Sequence, residues 1–239
     1  MSLIDEVESI PRKTMVLFFV VDTSGSMNGE KIGSVNSAIE EVIPEIRDIS
    51  SENADAQIEI AVLQFDSGCR WITSSGPVEV EKFHWNQVDA AGVTDFGAAC
   101  RELNQKLSTK EFMKRAGGSY APVVILLSDG EPTDNWQPEL DDLKQNNWFT
   151  ASIKVAIAVG YDANHDVLKQ FTGSSESVLE VHNSEALKRM VKFVSVRSSQ
   201  VGSASNQAGG ETKSKQQQLN DDLKEIKEEA TTDFSDDEW

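Results

Sequence analysis

The stretch Met15-Val-Leu-Phe-Phe-Val-Val-Asp22-Thr-Ser24-Gly-Ser26-Met27 decides the reading of this chain. Seven consecutive apolar residues lack the polar alternation of a half-solvated strand. They predict a strand buried on both faces, at the centre of a parallel sheet. The run stops at an aspartate, and two serines follow at i+2 and i+4. Open α/β sheets bind ligands beyond the carboxyl ends of their strands, which is where this loop falls. One carboxylate and two hydroxyls are hard oxygen donors. They suit a small hard cation, magnesium best, with manganese or calcium as alternatives.

An Asp-x-Ser-x-Ser run alone is weak evidence, since ordinary residue usage produces it in roughly a few per cent of chains of this length. Two later segments strengthen it. Val123-Val-Ile-Leu-Leu-Ser-Asp129-Gly is a second apolar strand ending in aspartate, and Ala91-Gly-Val-Thr94-Asp-Phe-Gly-Ala-Ala99 puts a hydroxyl on a glycine-flanked turn that opens a helix. Asp22, Ser24, Ser26, Thr94 and Asp129 then form one convergent oxygen cluster. Taken singly, the serines read equally well as helix caps and Asp129 as a turn residue beside Gly130. The five positions together favour a metal site.

The chain resembles von Willebrand factor type A domains over about residues 13–197. The wording of residues 18–27, 61–65 and 92–99 resembles the bacterial tellurium-resistance-associated TerY type. The resemblance implies a doubly wound, mostly parallel sheet with helices on both faces. It gives Asp22, Ser24, Ser26, Thr94 and Asp129 the five ligand roles of a metal-ion-dependent adhesion site, with Val93 where such families usually carry a glycine. It also implies a non-enzymatic interaction module that captures an acidic residue of a partner through bound magnesium. A protein kinase and a protein phosphatase of a stress-response system are the implied partners. The rival reading is a magnesium-dependent phosphatase of haloacid-dehalogenase type. That chemistry needs a carboxylic acid two residues after the nucleophilic aspartate, and Ser24 stands there instead.

Composition narrows the partners. The net charge of −18 on 239 residues argues against nucleic acid and anionic membranes. No run approaches the ~18 apolar residues of a membrane span, the charged first residues do not resemble a secretory signal, and Cys69 and Cys100 lack redox or zinc spacing. These features predict a cytoplasmic chain with free thiols. Trp136, in the loop after Asp129, is a candidate exposed rim for a partner.

The alternation of apolar runs predicts strands and helices in turn. A helix over 29–50 carries an apolar stripe interrupted at Pro44, residues 69–73 and 78–84 read as an edge hairpin, 138–149 as one helix, and Ser184 as the cap of the last domain helix. The expected organisation is an N-terminal extension at 1–12, a von Willebrand A-like domain at 13–197, a small polar linker at 198–218 and an acidic tail with a short helix at 219–239. Thr231, Thr232 and Ser235 lie in that acidic tail and are candidate phosphorylation sites.

Overall fold

A computed structural model describes residues 12–54, 56–203 and 214–233. Strand β1 (Lys13–Asp22) is followed by helix α1 (Glu30–Glu52), strand β2 (Ala56–Asp66) and the short strands β3 (Gly68–Trp71) and β4 (Val78–Glu79). Next come α2 (Phe96–Lys106), β5 (Val123–Ser128), α3 (Gln137–Lys144), α4 (Asn147–Ala151), β6 (Ile153–Val159), α5 (His165–Thr172) and β7 (Val178–Val181). Helices α6 (Ser184–Ser203) and α7 (Lys215–Asp233) complete the order.

The sheet runs β3-β2-β1-β5-β6-β7, with β4 also on β2. All pairs are parallel except β3 and β4 against β2. β1 is central, as its unbroken apolar run predicts. Met15, Leu17, Phe19 and Val21 join the layer under α1 and α6. Val16, Phe18 and Val20 join the layer under α2, α3 and α5. Each of these seven side chains is essentially inaccessible, and burial of each large one stabilises the fold by about 1.5–3 kcal/mol. The chain winds outward from β1 to β2 and then resumes on the other side of β1 with β5. The β1/β5 boundary is therefore a topological switch point, where the loops part and leave a crevice.

Several local expectations change. Helix α1 runs unbroken through Pro44, because Val42, Ile43 and Ile46 are buried on both sides of it and packing outweighs the missing backbone bond. The expected edge hairpin does not form between its two arms: β3 and β4 each pair with β2, at Leu63–Asp66 and at Glu59–Ile60. The helix expected at 138–149 is two helices. Asn146 Oδ1 accepts from the Trp148 and Phe149 N–H groups, starting α4 afresh, while its amide donates to the Asn104 and Leu107 carbonyls. Asn183, not Ser184, supplies the cap of α6, accepting from the Ala186 N–H at 2.7 Å.

The linker expected over 198–218 is helical at both ends, within α6 to Ser203 and within α7 from Lys215. Val201 is the one large apolar residue within it, and Leu219 and Leu223 belong to the short helix expected beyond it, which begins earlier than 219. Val201 on α6 and Leu219 and Leu223 on α7 are buried in the same layer as α1. Ser177 Oγ donates to Asn220 Oδ1 at 2.8 Å, and the Arg197 guanidinium pairs with Asp222 at 2.7 Å. The Gln216 side-chain amide lies on the start of β6: Oε1 accepts from the Lys154 N–H at 2.7 Å and Nε2 donates to the Lys154 carbonyl at 3.1 Å. β7 pairs only with Ala156–Val159, so the amide completes a ladder that no strand reaches. Thr231 and Thr232 fall within α7, and Ser235 lies outside the described residues. Among the described residues, no helix is long and apolar enough to cross a membrane. Cys69 and Cys100 are free thiols, and burial pushes both well above the ordinary thiol range, Cys69 to about 11.

Candidate metal centre

The loops that carry the five oxygen-bearing residues converge at the switch point. Asp22 ends β1, Ser24 immediately precedes a tight 3-10 turn (Gly25–Met27), and Ser26 lies within it. Asp129 follows β5, and Thr94 stands two residues before α2. Asp22 and Asp129 are fully buried, Ser24 and Thr94 nearly so, while Ser26 is exposed. The cluster is thus sunk in the crevice with one hydroxyl at its mouth.

Short bonds set each donor. The Ser24 N–H donates to Asp22 Oδ1 at 2.9 Å, turning the loop back over the strand end. The Ser24 and Ser26 hydroxyl oxygens are 3.0 Å apart. Ser128, at the end of β5, donates its hydroxyl to Asp22 Oδ2 at 2.5 Å and accepts from the Gly130 N–H at 2.7 Å. Both Asp22 oxygens are therefore engaged by the protein. Burial drives the Asp22 carboxyl from its ordinary range up to about 6; the Ser128 and Ser24 bonds oppose that rise, and the charge of Asp129 adds to it.

The loop carrying Thr94 is irregular and is fastened from three sides. Asn36 of α1 donates to the Val88 carbonyl at 2.9 Å and accepts from the Val88 N–H at 2.9 Å and the Trp85 indole at 3.1 Å. Ala91 N–H donates to the Thr23 carbonyl, and Gly25 N–H to the Gly92 carbonyl, lacing this loop to the first. Thr133 then clamps the Thr94 backbone: its hydroxyl accepts from the Thr94 N–H at 3.2 Å and its N–H donates to the Thr94 carbonyl at 2.9 Å. One residue on, Asp134 accepts from the Phe96 and Gly97 N–H groups at the start of α2. A Cβ on Gly97 would stand 2.4 Å from Asp134 Oδ2, so only glycine admits this cap.

Lys31 reaches back from α1 over Gly160. Its ammonium lies 3.5 Å from Asp129 Oδ2 and 2.7 Å from Asp162 Oδ1. Asp129 Oδ1, by contrast, is buried without a hydrogen-bond partner. Such an orphaned carboxylate oxygen is costly unless a ligand completes it.

The donors fit a small hard cation. Magnesium bonds of 2.0–2.1 Å at right angles separate neighbouring ligands by about 2.9 Å, which the 3.0 Å between the two serine hydroxyls matches. The set is mostly hydroxyl, and among the described residues no group of three or more His, Cys, Asp or Glu could itself hold a metal. Two residues after Asp22 stands a hydroxyl already engaged with Ser26, so the proton donor of a haloacid-dehalogenase phosphatase has no counterpart here.

Trp136 is not a rim. It is 6% exposed, with its ring 5.9 Å from that of Phe96, which in turn packs at a tilt against Phe171. The cap that Asp134 makes on α2 turns the following residues inward. Sequence reasoning passed over Ser128, Lys31, Asn36 and Thr133. Of these only Ser128 carries a signal, as the polar end of an otherwise apolar strand. The others act across long sequence separations.

The fold and this donor set define a class: doubly wound α/β domains that gather hydroxyl and carboxylate oxygens at the switch point beside β1. The chain belongs to the von Willebrand factor type A domain family, whose model matches residues 17–193. It is 22% identical to human inter-alpha-trypsin inhibitor heavy chain H2 over 200 residues, covering 79% of this chain and 20% of that protein. The pilus adhesin SpaC of Lactobacillus rhamnosus GG superposes with a TM-score of 0.59 at 13% identity, over 80% of this chain and 30% of that one. Proximal thread matrix protein 1 of the mussel byssus, in a form with a zinc-occupied MIDAS motif, gives 0.57 at 17% identity, over 78% and 48%. The chain spans about a fifth of the length of its curated heavy-chain relatives. At these identities the solved structures establish the fold.

Proposed function

We propose that this domain is a metal-dependent protein-interaction module, in which Asp22, Ser24, Ser26, Thr94 and Asp129 hold magnesium, or manganese or calcium in its place, to capture an acidic residue of a partner. The observation that carries the reading is the orphaned, buried Asp129 Oδ1 at the end of β5, on a sheet whose neighbouring strand β1 leads into two serine hydroxyls at octahedral spacing. A bound cation supplies an electrophilic seat for an outside carboxylate. Asp22, tied by Ser24 and Ser128, keeps the hydroxyl loop in place and offsets charge, and exposed Ser26 marks the side from which a partner enters. A donor set of hydroxyls with two carboxylates suits the capture of an outside carboxylate, and we read binding rather than catalysis as the role.

The resemblance of residues 18–27, 61–65 and 92–99 to the TerY type supports a place in a cytoplasmic tellurium-resistance or stress-response system. It makes a protein kinase and a protein phosphatase the favoured partners, with Thr231, Thr232 and Ser235 as phosphate acceptors.

Thermal melts with magnesium and with EDTA test the metal. At a hundredfold excess over its dissociation constant a ligand stabilises by about 2.7 kcal/mol. For a domain of this size that corresponds to a rise of about 5–10 °C. The rise should vanish in Asp129→Asn. Identical melts with and without magnesium overturn the reading, and partner capture that survives chelation overturns its interaction half.

A further inference from the structure

Among the described residues, two large hydrophobic side chains are left exposed, Val93 at 53% and Tyr161 at 59%. Single surface hydrophobics are ordinary. The placement of these two is not. Val93 immediately precedes Thr94, and Tyr161 stands on the loop after β6, one residue before the Asp162 that pairs with Lys31 at the metal cluster. β6 is two strands from β1 in the sheet, about 10 Å at ordinary strand spacing. The two side chains thus flank the mouth of the crevice on opposite sides.

Both are held rigidly outward. Gly92, at φ +77°, turns the chain where Ser67 Oγ occupies the place a Cβ would take, and that same oxygen accepts from the Val93 N–H at 3.1 Å. With the next residue clamped by Thr133, Val93 has no freedom to fold inward. The Tyr161 ring lies flat on His182, 3.8 Å between centroids and 5° between planes. A rigid, half-exposed aromatic loses little entropy when covered.

The charges between them are acidic. Glu30, where the first loop enters α1, and Glu131, two residues after Asp129, are exposed, and Asp162 is 63% exposed. The ammonium that faces the cluster, Lys31, is already shared between Asp129 and Asp162. A bare acidic ligand meets repulsion on approach, and the net charge of −18 adds to it.

We infer that Val93 and Tyr161 are the specificity anchors of this surface, and that its partner is a protein segment presenting one carboxylate flanked by basic and apolar side chains. The inference rests on the metal-capture reading above. The carboxylate takes the metal seat, the apolar neighbours cover Val93 and Tyr161, and the basic groups meet the acidic rim.

Blocked pentapeptides titrated into the isotope-labelled full chain, read by chemical-shift change, separate the two levels. RLDLR should bind in magnesium and not in EDTA, and its amide counterpart RLNLR should not bind. RSDSR should bind about fivefold more weakly than RLDLR, the loss expected when two leucine side chains that each bury a small part of their surface are replaced. ELDLE should be about tenfold weaker at low salt, with the gap closing at high salt. Val93→Ser and Tyr161→Ser should each shrink the gap between RLDLR and RSDSR. Both sites are exposed, so wild-type melting temperatures will show that the variants fold. Equal, magnesium-dependent binding of RLDLR, RSDSR and ELDLE overturns the anchors and leaves metal capture standing, as does a gap that both serine variants keep in full. No magnesium-dependent binding of any peptide overturns both readings.

Discussion

Replacing Ser128 with alanine tests how the buried Asp22 is held. Ser128 is 2% exposed, and its hydroxyl donates to a fully buried carboxylate at 2.5 Å and accepts a backbone N–H at 2.7 Å. Loss of a bond to a charged group costs about 1.5–3 kcal/mol and loss of a neutral one about 0.5–1.5, so Ser128→Ala should lose roughly 2–4 kcal/mol at pH 8. The loss should depend on pH. Asp22 titrates at about 6 in the fold and near 4 when unfolded. Between those values the folded state binds more protons, so stability falls as pH rises through the window, by about 3 kcal/mol for this group without metal. Ser128 is the strongest influence holding the Asp22 value down. Its removal lifts the folded value further and extends the falling window upward. The deficit of the variant should therefore be about 1 kcal/mol at pH 5, where only neutral bonds are lost, and should grow to the full amount by pH 8. Urea unfolding in EDTA at both pH values measures it. A deficit under about 0.5 kcal/mol, the scatter of ordinary surface changes, or one that does not change with pH, refutes the assignment of Ser128 as the group that holds Asp22 ionisable.

Three other substitutions probe the scaffold. Asn36→Ala removes three bonds, two of them buried, that pin residues 85 and 88. It should cost about 2–4 kcal/mol by urea denaturation and raise amide exchange around Thr94. Gly97→Ala forces a Cβ against Asp134 and the Trp136 backbone. It should lose about 1–3 kcal/mol in the same assay and weaken the magnesium-induced rise in melting temperature by loosening the Thr94 turn. Leu219→Ala empties a fully buried position on α7 and should cost about 2–5 kcal/mol. A chain ending at Ser203 should melt lower than the full chain, and equal melting temperatures would show α7 to be an ornament.

What could be read from the sequence was whatever a single segment states about itself. The apolar run of β1, the stripe Ile32, Val35, Ile39, Val42 and the two strand-end aspartates depend only on local pattern, and the fold follows from them. The bond from Ser128 to Asp22 spans 106 residues, and that from Lys31 to Asp162 spans 131. No spacing rule joins such pairs until the register of β1 against β5 is known. Trp136 misled because its loop position suggested exposure, whereas the Asp134 cap two residues earlier turns the chain inward. In the C-terminal segment a short helix was legible from its spacing, whereas its earlier start at Lys215 and the burial of Val201, Leu219 and Leu223 against the domain depend on contacts that no local pattern states.

The Gln216 amide on Lys154 bears on how copies of this protein behave toward one another. At the start of β6 the backbone N–H and C=O face outward beyond the reach of β7, an open template for a strand from another molecule. A side chain carrying the same donor and acceptor as a peptide unit fills that template from within. Unlike a neighbouring strand, it leaves no further edge behind it. If α7 is released, the exposed positions invite edge-to-edge pairing, so the C-terminal helix guards the solubility of a crowded population as well as the stability of one molecule.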